Sequence, residues 1–155
     1  MVKISESERS FIEEVGITFE QTGLPRMAGR LFGWLLIADP PYQSPAELAE
    51  VLQASKGSIS TTVRLLTQSG FIERHIIPGS RHDYFRIPAN AILKVIYHGL
   101  EQEIKMFLSL SERSLDMLKE LPAKRKIWLK EIHNRYAYLE KAFPALLEKY
   151  DKEKH

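Results

Sequence analysis

The stretch SKGSISTTVRLLTQSGFIER, residues 55–74, predicts a helix with two different faces, followed by a glycine stop. Ser55 is a residue type that caps helix N-termini, and Gly70 suits the position just past a helix C-terminus. At about 100° per residue, an apolar stripe lies opposite a face of small and polar residues, so we expect the stripe to be buried. The stripe comprises Ile59, Thr62, Val63 and Leu66, and the opposite face Gly57, Ser60, Thr61, Arg64 and Gln68.

A capping box precedes this helix at Ser44-Pro45-Ala46-Glu47. Its serine side chain accepts from the Glu47 amide while the glutamate reaches back, which predicts the start of another short helix. Only Gln53-Ala54 separate that helix from Ser55. Two short helices joined by so tight a turn indicate a helix-turn-helix. Upstream, residues 6–22 and an almost wholly apolar segment from Pro25 predict two further helices.

A β-hairpin is predicted directly after the glycine stop. Residues 71–77 have the composition of a strand, Pro78-Gly79-Ser80 that of a turn, and residues 84–87 that of a returning strand. A helix-turn-helix followed by a hairpin is the layout of a winged helix. The predicted fold is therefore mainly α with a small β-hairpin wing.

The polar face of residues 55–69 is suited to the major groove of DNA. A helix in that groove needs short donors and acceptors with a longer Arg or Gln, and carboxylates would be repelled by the phosphates. Gly57 removes a side chain where backbone and phosphate would meet, at a helix N-terminus that favours an anion. The alternative is that these residues are neutral surface fillers. The hairpin that follows, with Arg81 and His82 at its tip, favours DNA.

Positive charge is concentrated in the same region. Residues 53–86 hold five basic and two acidic side chains, a net charge of +3, whereas the whole 155-residue chain carries +2. This bias suggests a docking face for an anionic partner, although a chance cluster on a solvated face is the alternative. The basic residues are Lys56, Arg64, Arg74, Arg81 and Arg86.

Residues 23–87 resemble the winged-helix domain of MarR-type regulators, most closely the GbsR branch. The resemblance is carried by GLPRMAGR, SPAELAEVLQASKGSIS, RLLTQSGFIER and the wing sequence PGSR. Members of this family are dimeric transcriptional regulators, many of them released from DNA by small ligands. The wing departs from the usual Asp–Arg–Arg pattern, since it reads Gly79-Ser80-Arg81-His82-Asp83.

The resemblance implies roles for individual residues. Ser58, Ser60, Thr61 and Arg64 would read or flank the major groove, and Arg81 would enter or border the minor groove. Arg26 and Arg30, four residues apart, are either phosphate contacts or partners of an acidic neighbour. The complete set of predicted DNA contacts is Arg26, Arg30, Lys56, Gly57, Ser58, Ser60, Thr61, Arg64, Gln68, Arg81 and His82.

The C-terminal third of the chain predicts a dimer. Apolar residues recur there at alternating steps of three and four, which is typical of a coiled-coil seam. The alternative is an antiparallel helix pair within one chain. Pro144 predicts a kink or restart near Phe143. We expect one domain, residues 1–155, in which 23–87 bind DNA and 1–22 with 89–150 form a dimerisation region. The predicted seam is Leu129, Ile132, Tyr136, Leu139, Phe143 and Leu146.

Four aromatic residues are candidates for an effector site: Trp34, Tyr42, Tyr84 and Tyr97. The resemblance to the GbsR branch suggests a choline-like cation held by aromatic rings. Core and interface packing is the favoured alternative, and the sequence names no ligand.

Several functional classes are not supported. The chain has no Cys, its five His show no metal-ligand spacing, and no Gly-rich phosphate loop is present. We therefore expect no enzymatic activity and no cofactor. The polar N-terminus and the absence of a long apolar run predict a cytoplasmic protein without membrane contact. The rival hypothesis is a winged-helix protein-interaction module, which should show apolar anchors on the face opposite the stripe.

Overall fold

The computed structural model describes residues 3–154 and is mainly helical, with a two-stranded antiparallel sheet, which confirms the predicted fold class. No helix in that range is long and apolar enough to cross a membrane. In chain order the elements are α1 (Glu6–Gln21), α2 (Arg26–Ile37), α3 (Pro45–Leu52), α4 (Lys56–Gln68), β1 (Glu73–His75), β2 (Tyr84–Arg86), α5 (Ala91–Met117), a 3-10 turn (Ala123–Arg125) and α6 (Ile127–Glu153).

The chain divides into two compact units, an N-terminal unit up to Val95 and a C-terminal unit from Ile96 onward. The N-terminal unit holds α1 to α4, the hairpin and the first turn of α5. The C-terminal unit holds the rest of α5 and α6. The predicted dimerisation region, residues 1–22 with 89–150, concerns a second copy of the chain and stays a prediction.

Helices α1 and α2 cross in direct backbone contact. A Cβ atom built on Gly29 of α2 would lie 2.5 Å from the Val15 carbonyl oxygen and 2.7 Å from the Gly16 Cα, both in α1. No side chain fits between the two backbones at this point. Below the crossing, the rings of Phe19, Phe32 and Phe71 meet at centroid distances of 5.5–6.2 Å and join both helices to the segment after α4.

The predicted helix ends at Ser44, Ser55 and Gly70 are confirmed. Ser44 Oγ accepts from the Glu47 N–H at 3.3 Å, and Glu47 Oε2 accepts from the Ser44 N–H at 2.7 Å. Ser55 Oγ accepts from the Ser58 N–H at 3.1 Å and begins α4. Gly70 has a φ of +73°, the left-handed conformation that favours glycine after a helix. These local contacts fix the limits of the helix-turn-helix.

The hairpin is shorter than predicted. Residues 71–77 and 84–87 were expected as strands, whereas β1 is Glu73–His75 and β2 is Tyr84–Arg86. The reason is tertiary, because Phe71 and Ile72 are each 1% exposed and belong to the core rather than to the wing. The sheet is extended instead by Gln43, whose backbone pairs with that of Phe85.

In the C-terminal unit, α5 and α6 stack aromatic rings in antiparallel order. Phe107 packs on Tyr136 at 5.0 Å, and Tyr97 packs on Phe143 at 5.8 Å. Tyr136 and Phe143 of the predicted seam therefore have partners within the chain, as the alternative of an antiparallel helix pair requires. Others of the predicted seam remain exposed, and Leu146 is 60% exposed. Helix α6 continues through Pro144 to Glu153, so the helix does not restart near Phe143, and a kink there stays a prediction.

Candidate nucleic-acid interface

Helix α4 presents the two faces that the sequence predicts. Its apolar stripe is buried, with Ile59 and Leu66 fully inaccessible to solvent. The opposite face is exposed along its whole length: Gly57, Ser60, Thr61, Arg64 and Gln68. Ser58 is only half-buried, and its N–H donates to the cap at Ser55, so its backbone is occupied in starting the helix.

A cleft of about 820 Å³ lies between the start of α3, the exposed face of α4 and the wing. It brings together Lys56, Ser60, Arg64 and Gln68 of α4 with Arg81 and His82 of the wing. The predicted contacts Arg26, Arg30, Gly57, Ser58 and Thr61 do not line it. We define the cleft by the three elements that form its walls and call it the α4–wing cleft.

Sequence reasoning missed the contribution of α3 to this cleft. One wall of the cleft is formed by the α3 cap Ser44 and the first helical residues Pro45 and Ala46, and Thr67 of α4 completes another. The capping box was the available signal, because it marks the start of a helix, where the helix dipole favours an anion. The spatial position of that N-terminus beside α4 depends on the turn between the helices.

Ion pairing within the wing decides which cations are available. Arg74 pairs with Asp83, and Arg86 Nε lies 2.7 Å from Glu73 Oε1. Both acidic side chains of residues 53–86 are thereby neutralised. Within residues 3–154, Lys56, Arg64 and Arg81 have no carboxylate at ion-pair distance, and all three line the α4–wing cleft. The net positive charge of the segment is therefore focused on the cleft.

Contacts inside the wing order the turn beside Arg81. Ser80 Oγ accepts from the His82 N–H at 3.2 Å and lies 3.5 Å from the Tyr84 hydroxyl. The Tyr84 ring meets Tyr42 edge-on at 5.5 Å, and Tyr42 in turn packs on His75 at 4.9 Å. These contacts tie the turn that precedes Arg81 to the base of the hairpin.

The four aromatic effector candidates have the following partners. Trp34 is buried and donates its indole N–H to Gln43 Oε1 at 3.2 Å. Tyr42 and Tyr84 contact each other beside the wing, and Tyr97 lies in the C-terminal unit against Phe143. These contacts correspond to the packing alternative, and an effector site built from these residues stays a prediction.

Arg26 and Arg30 both reach Glu13 of α1. Arg30 Nε lies 2.7 Å from Glu13 Oε1, and Arg26 Nη2 lies 3.2 Å from Glu13 Oε2. An acidic neighbour was one of the two alternatives that the sequence left open. Contact of either arginine with phosphate stays a prediction.

Within residues 3–154, no group of three or more His, Asp and Glu side chains is arranged to hold a metal ion.

Comparison with known proteins agrees with this geometry. Residues 22–81 match the sequence profile of the MarR family. The chain is 41% identical over 143 residues to the HTH-type transcriptional regulator MmpR5 of Mycobacterium tuberculosis. This alignment covers 90% of this chain and 84% of MmpR5. The chain belongs to the MarR family. It is thus a transcriptional regulator with a winged-helix DNA-binding fold.

One solved structure resembles this chain in both sequence and fold. A crystal structure described as a transcriptional regulator is 39% identical to this MarR-family chain. The superposition has a TM-score of 0.71 and covers 94% of this chain and 99% of the other. The similarity therefore extends beyond the winged helix, into the C-terminal helices of this MarR-family protein.

Proposed function

We propose that this MarR-family regulator binds an inverted-repeat operator as a homodimer in the cytoplasm, represses the genes beside it and is released by a small ligand. The observation that carries the DNA-binding part is the convergence of Lys56, Arg64 and Arg81 on the α4–wing cleft. Repression, ligand release and a place in the GbsR branch rest on resemblance to the family.

The mechanism divides affinity from choice of site. Phosphate contacts by Lys56 and by the N-termini of α3 and α4 supply affinity and fix the register on the duplex. Arg64 and Gln68 reach base edges in the major groove, where their donors distinguish base pairs. Ala46, at the α3 wall of the cleft, suits contact with a thymine methyl group. Arg81 enters the adjacent minor groove from the wing.

The rival protein-interaction module is less well supported. Hot spots of protein interfaces are centred on large aromatic or aliphatic anchors. The exposed face of α4 offers Gly57, Ser60, Thr61, Arg64 and Gln68 instead. A face of this composition suits a charged partner, because its small side chains let the backbone of α4 come close to that partner.

Dimerisation is supported by the apolar side chains that the C-terminal unit leaves exposed. Ile132, Leu139 and Leu146 of α6 are each at least 40% exposed, at the steps of the predicted seam. Burial against a second copy would remove this apolar surface from water. A two-fold axis would then set two α4 helices roughly 34 Å apart, one DNA turn, which predicts an inverted repeat.

The proposal is tested by selecting genomic fragments with purified protein while measuring its mass in solution. Enrichment of an inverted repeat by a species of twice the chain mass is the expected result. Weak, salt-sensitive binding to all fragments would mean that the protein contacts only phosphates, which would contradict binding to a specific operator. A monomer that enriches a single half-site would contradict the homodimer but keep the α4–wing cleft as the reader of DNA.

Replacing Arg81 with alanine should lower affinity for operator and for unrelated DNA alike. A wing arginine in the minor groove lies between the two phosphate backbones and displaces about one counterion, so the slope of log affinity against log salt should fall by about 1 per site. The measurement is fluorescence anisotropy of labelled operator at several salt concentrations. Lys152→Ala removes the same charge far along α6 and should leave the slope unchanged. Equal slopes for Arg81→Ala and the parent would remove Arg81 from the interface.

Gly57→Ala tests close approach of the α4 backbone to DNA. A Cβ atom at this position meets only Ser55 Oγ at 3.9 Å, so the free protein accommodates it. Helix propensity should raise the free energy of unfolding by up to about 1 kcal/mol. Operator affinity should nevertheless fall, by about 1 kcal/mol, because the new methyl group intrudes between backbone and phosphate. Denaturant unfolding and anisotropy measure the two effects, and unchanged affinity would contradict the close approach.

A further inference from the structure

Arg30 connects three helices of the N-terminal unit. From α2, its Nε donates to Glu13 Oε1 of α1 at 2.7 Å, and its Nη2 donates to the carbonyl oxygen of Leu52, the last residue of α3, at 3.1 Å. Its remaining nitrogen, Nη1, lies 3.8 Å from Met27 Sδ. Each guanidinium nitrogen thus has a protein partner, and the side chain is only 21% exposed.

The aliphatic part of the Arg30 side chain, its stem, is also closely packed. A Cβ atom on Gly16 of α1 would lie 2.8 Å from Arg30 Cγ, so the absence of a side chain at Gly16 provides the room for the stem. The stem is therefore confined by Gly16 of α1, and the guanidinium is held by its hydrogen bonds to Glu13 and Leu52. A group held in this way is poorly placed to turn toward a phosphate.

The contact with Leu52 lies at the pivot of the helix-turn-helix. Gln53 follows in the left-handed conformation, with φ of +50°, and only Ala54 then precedes the cap of α4 at Ser55. Carbonyl groups at a helix C-terminus have no partner within the helix, and a cation there is favourable. The direction in which α4 leaves the turn depends on the position of this last carbonyl group.

We propose that Glu13 and Arg30 form a positioning link that fixes α4 in the orientation required for DNA. Arg30 acts on affinity through the turn at Leu52 and not through phosphate contact. The inference rests on the proposed function, in that α4 is taken as the element that reads DNA. It makes α1, far along the chain from α4, a determinant of operator affinity.

Glu13 also pairs with Arg26, so Glu13→Gln is made in an Arg26→Gln background. There the sign of its effect on operator affinity distinguishes the link from a phosphate contact by Arg30. If Arg30 contacts phosphate, loss of the competing carboxylate frees the cation and tightens binding. If Glu13 holds the link, the same change weakens operator binding, on the order of tenfold, because a charge-assisted hydrogen bond is lost. Glu14→Gln, the neighbouring exposed glutamate, changes the net charge equally and is the matched control.

Arg30→Lys gives a second, independent readout. Lysine keeps the positive charge but cannot donate from a planar fork to Glu13 and Leu52 together. The link predicts a loss similar to that of Glu13→Gln, whereas a phosphate contact would be largely retained by lysine. Affinity is measured by anisotropy at a temperature where circular dichroism shows each variant fully folded. Tighter binding by Glu13→Gln, or parental binding by Arg30→Lys, overturns the proposal.

Amide hydrogen exchange separates failure of the link from failure of the proposed function. If the parent protein selects no operator, the proposed function fails, but the link still predicts faster exchange at Gln53 and Ala54 in Arg30→Lys than in Glu14→Gln. The N–H groups of both residues bond to the last turn of α3 and report its order. Equal exchange at these amides in both variants overturns the link without reference to DNA.

Discussion

Operator affinity should fall by about 1–3 kcal/mol when Arg64 is replaced by alanine, the range of a bidentate contact to a base edge. Arg64 lies in the middle of the exposed face of α4, and none of the carboxylates in residues 3–154 lies at ion-pair distance from it. Its donors are therefore available to a guanine without the loss of an existing ion pair. Affinity for unrelated DNA should fall much less, so the ratio of specific to non-specific binding decreases.

The measurement is competition of labelled operator against unlabelled operator and against random duplex at one salt concentration. Lys152→Ala, which removes a charge outside the α4–wing cleft, should leave the ratio unchanged. A base-by-base substitution series of the operator should also show relaxed preference at the position that Arg64 reads. Equal losses on operator and random DNA would assign Arg64 to phosphate, and no loss would place it outside the interface.

Gly29→Ala should lower the free energy of unfolding by about 3 kcal/mol, toward the upper end of the cost of overpacking. The added methyl group would lie 2.5 Å from the Val15 carbonyl oxygen and 2.8 Å from Phe19 Cβ. The nearest of these atoms belongs to backbone, so rotation of a side chain cannot relieve the overlap. Helices α1 and α2 must separate, which also disturbs the packing of Phe19 in the core.

Urea unfolding followed by circular dichroism measures this loss. Gly57→Ala is the matched control, since it makes the same chemical change on a helix where the new Cβ meets only Ser55 Oγ at 3.9 Å. The two variants should therefore move stability in opposite directions. If Gly29→Ala is as stable as the parent, the backbones of α1 and α2 are far enough apart at Gly29 to admit a methyl group.

Local patterns predicted the helix-turn-helix well because its determinants are local. The apolar stripe of α4 follows from helical periodicity, and Ser44, Ser55 and Gly70 act within four residues of their own positions. The exposed face of α4 was identified for the same reason. The resemblance to MarR-type regulators added the role of the wing, and the family is confirmed by the comparisons.

Features that depend on tertiary contacts were not predicted. Residues 53–86 hold five basic and two acidic side chains, but the sequence offered no means of pairing Arg74 with Asp83 and Arg86 with Glu73. These pairs leave three unpaired cations in the α4–wing cleft. The strand limits were wrong because Phe71 and Ile72 are drawn into the core. The choice of Glu13 as the partner of Arg26 and Arg30 likewise depends on how α1 crosses α2.

The crossing of α1 and α2 also has a mechanical consequence. Packed helices usually slide past each other by small rearrangements of the side chains between them. At Gly29 no such layer is present, since its backbone touches that of Val15 and Gly16. Well-packed interiors have low compressibility and transmit strain. The two helices should therefore move as one stiff body, and a force applied to the exposed side of α1 would reach α2 almost undamped.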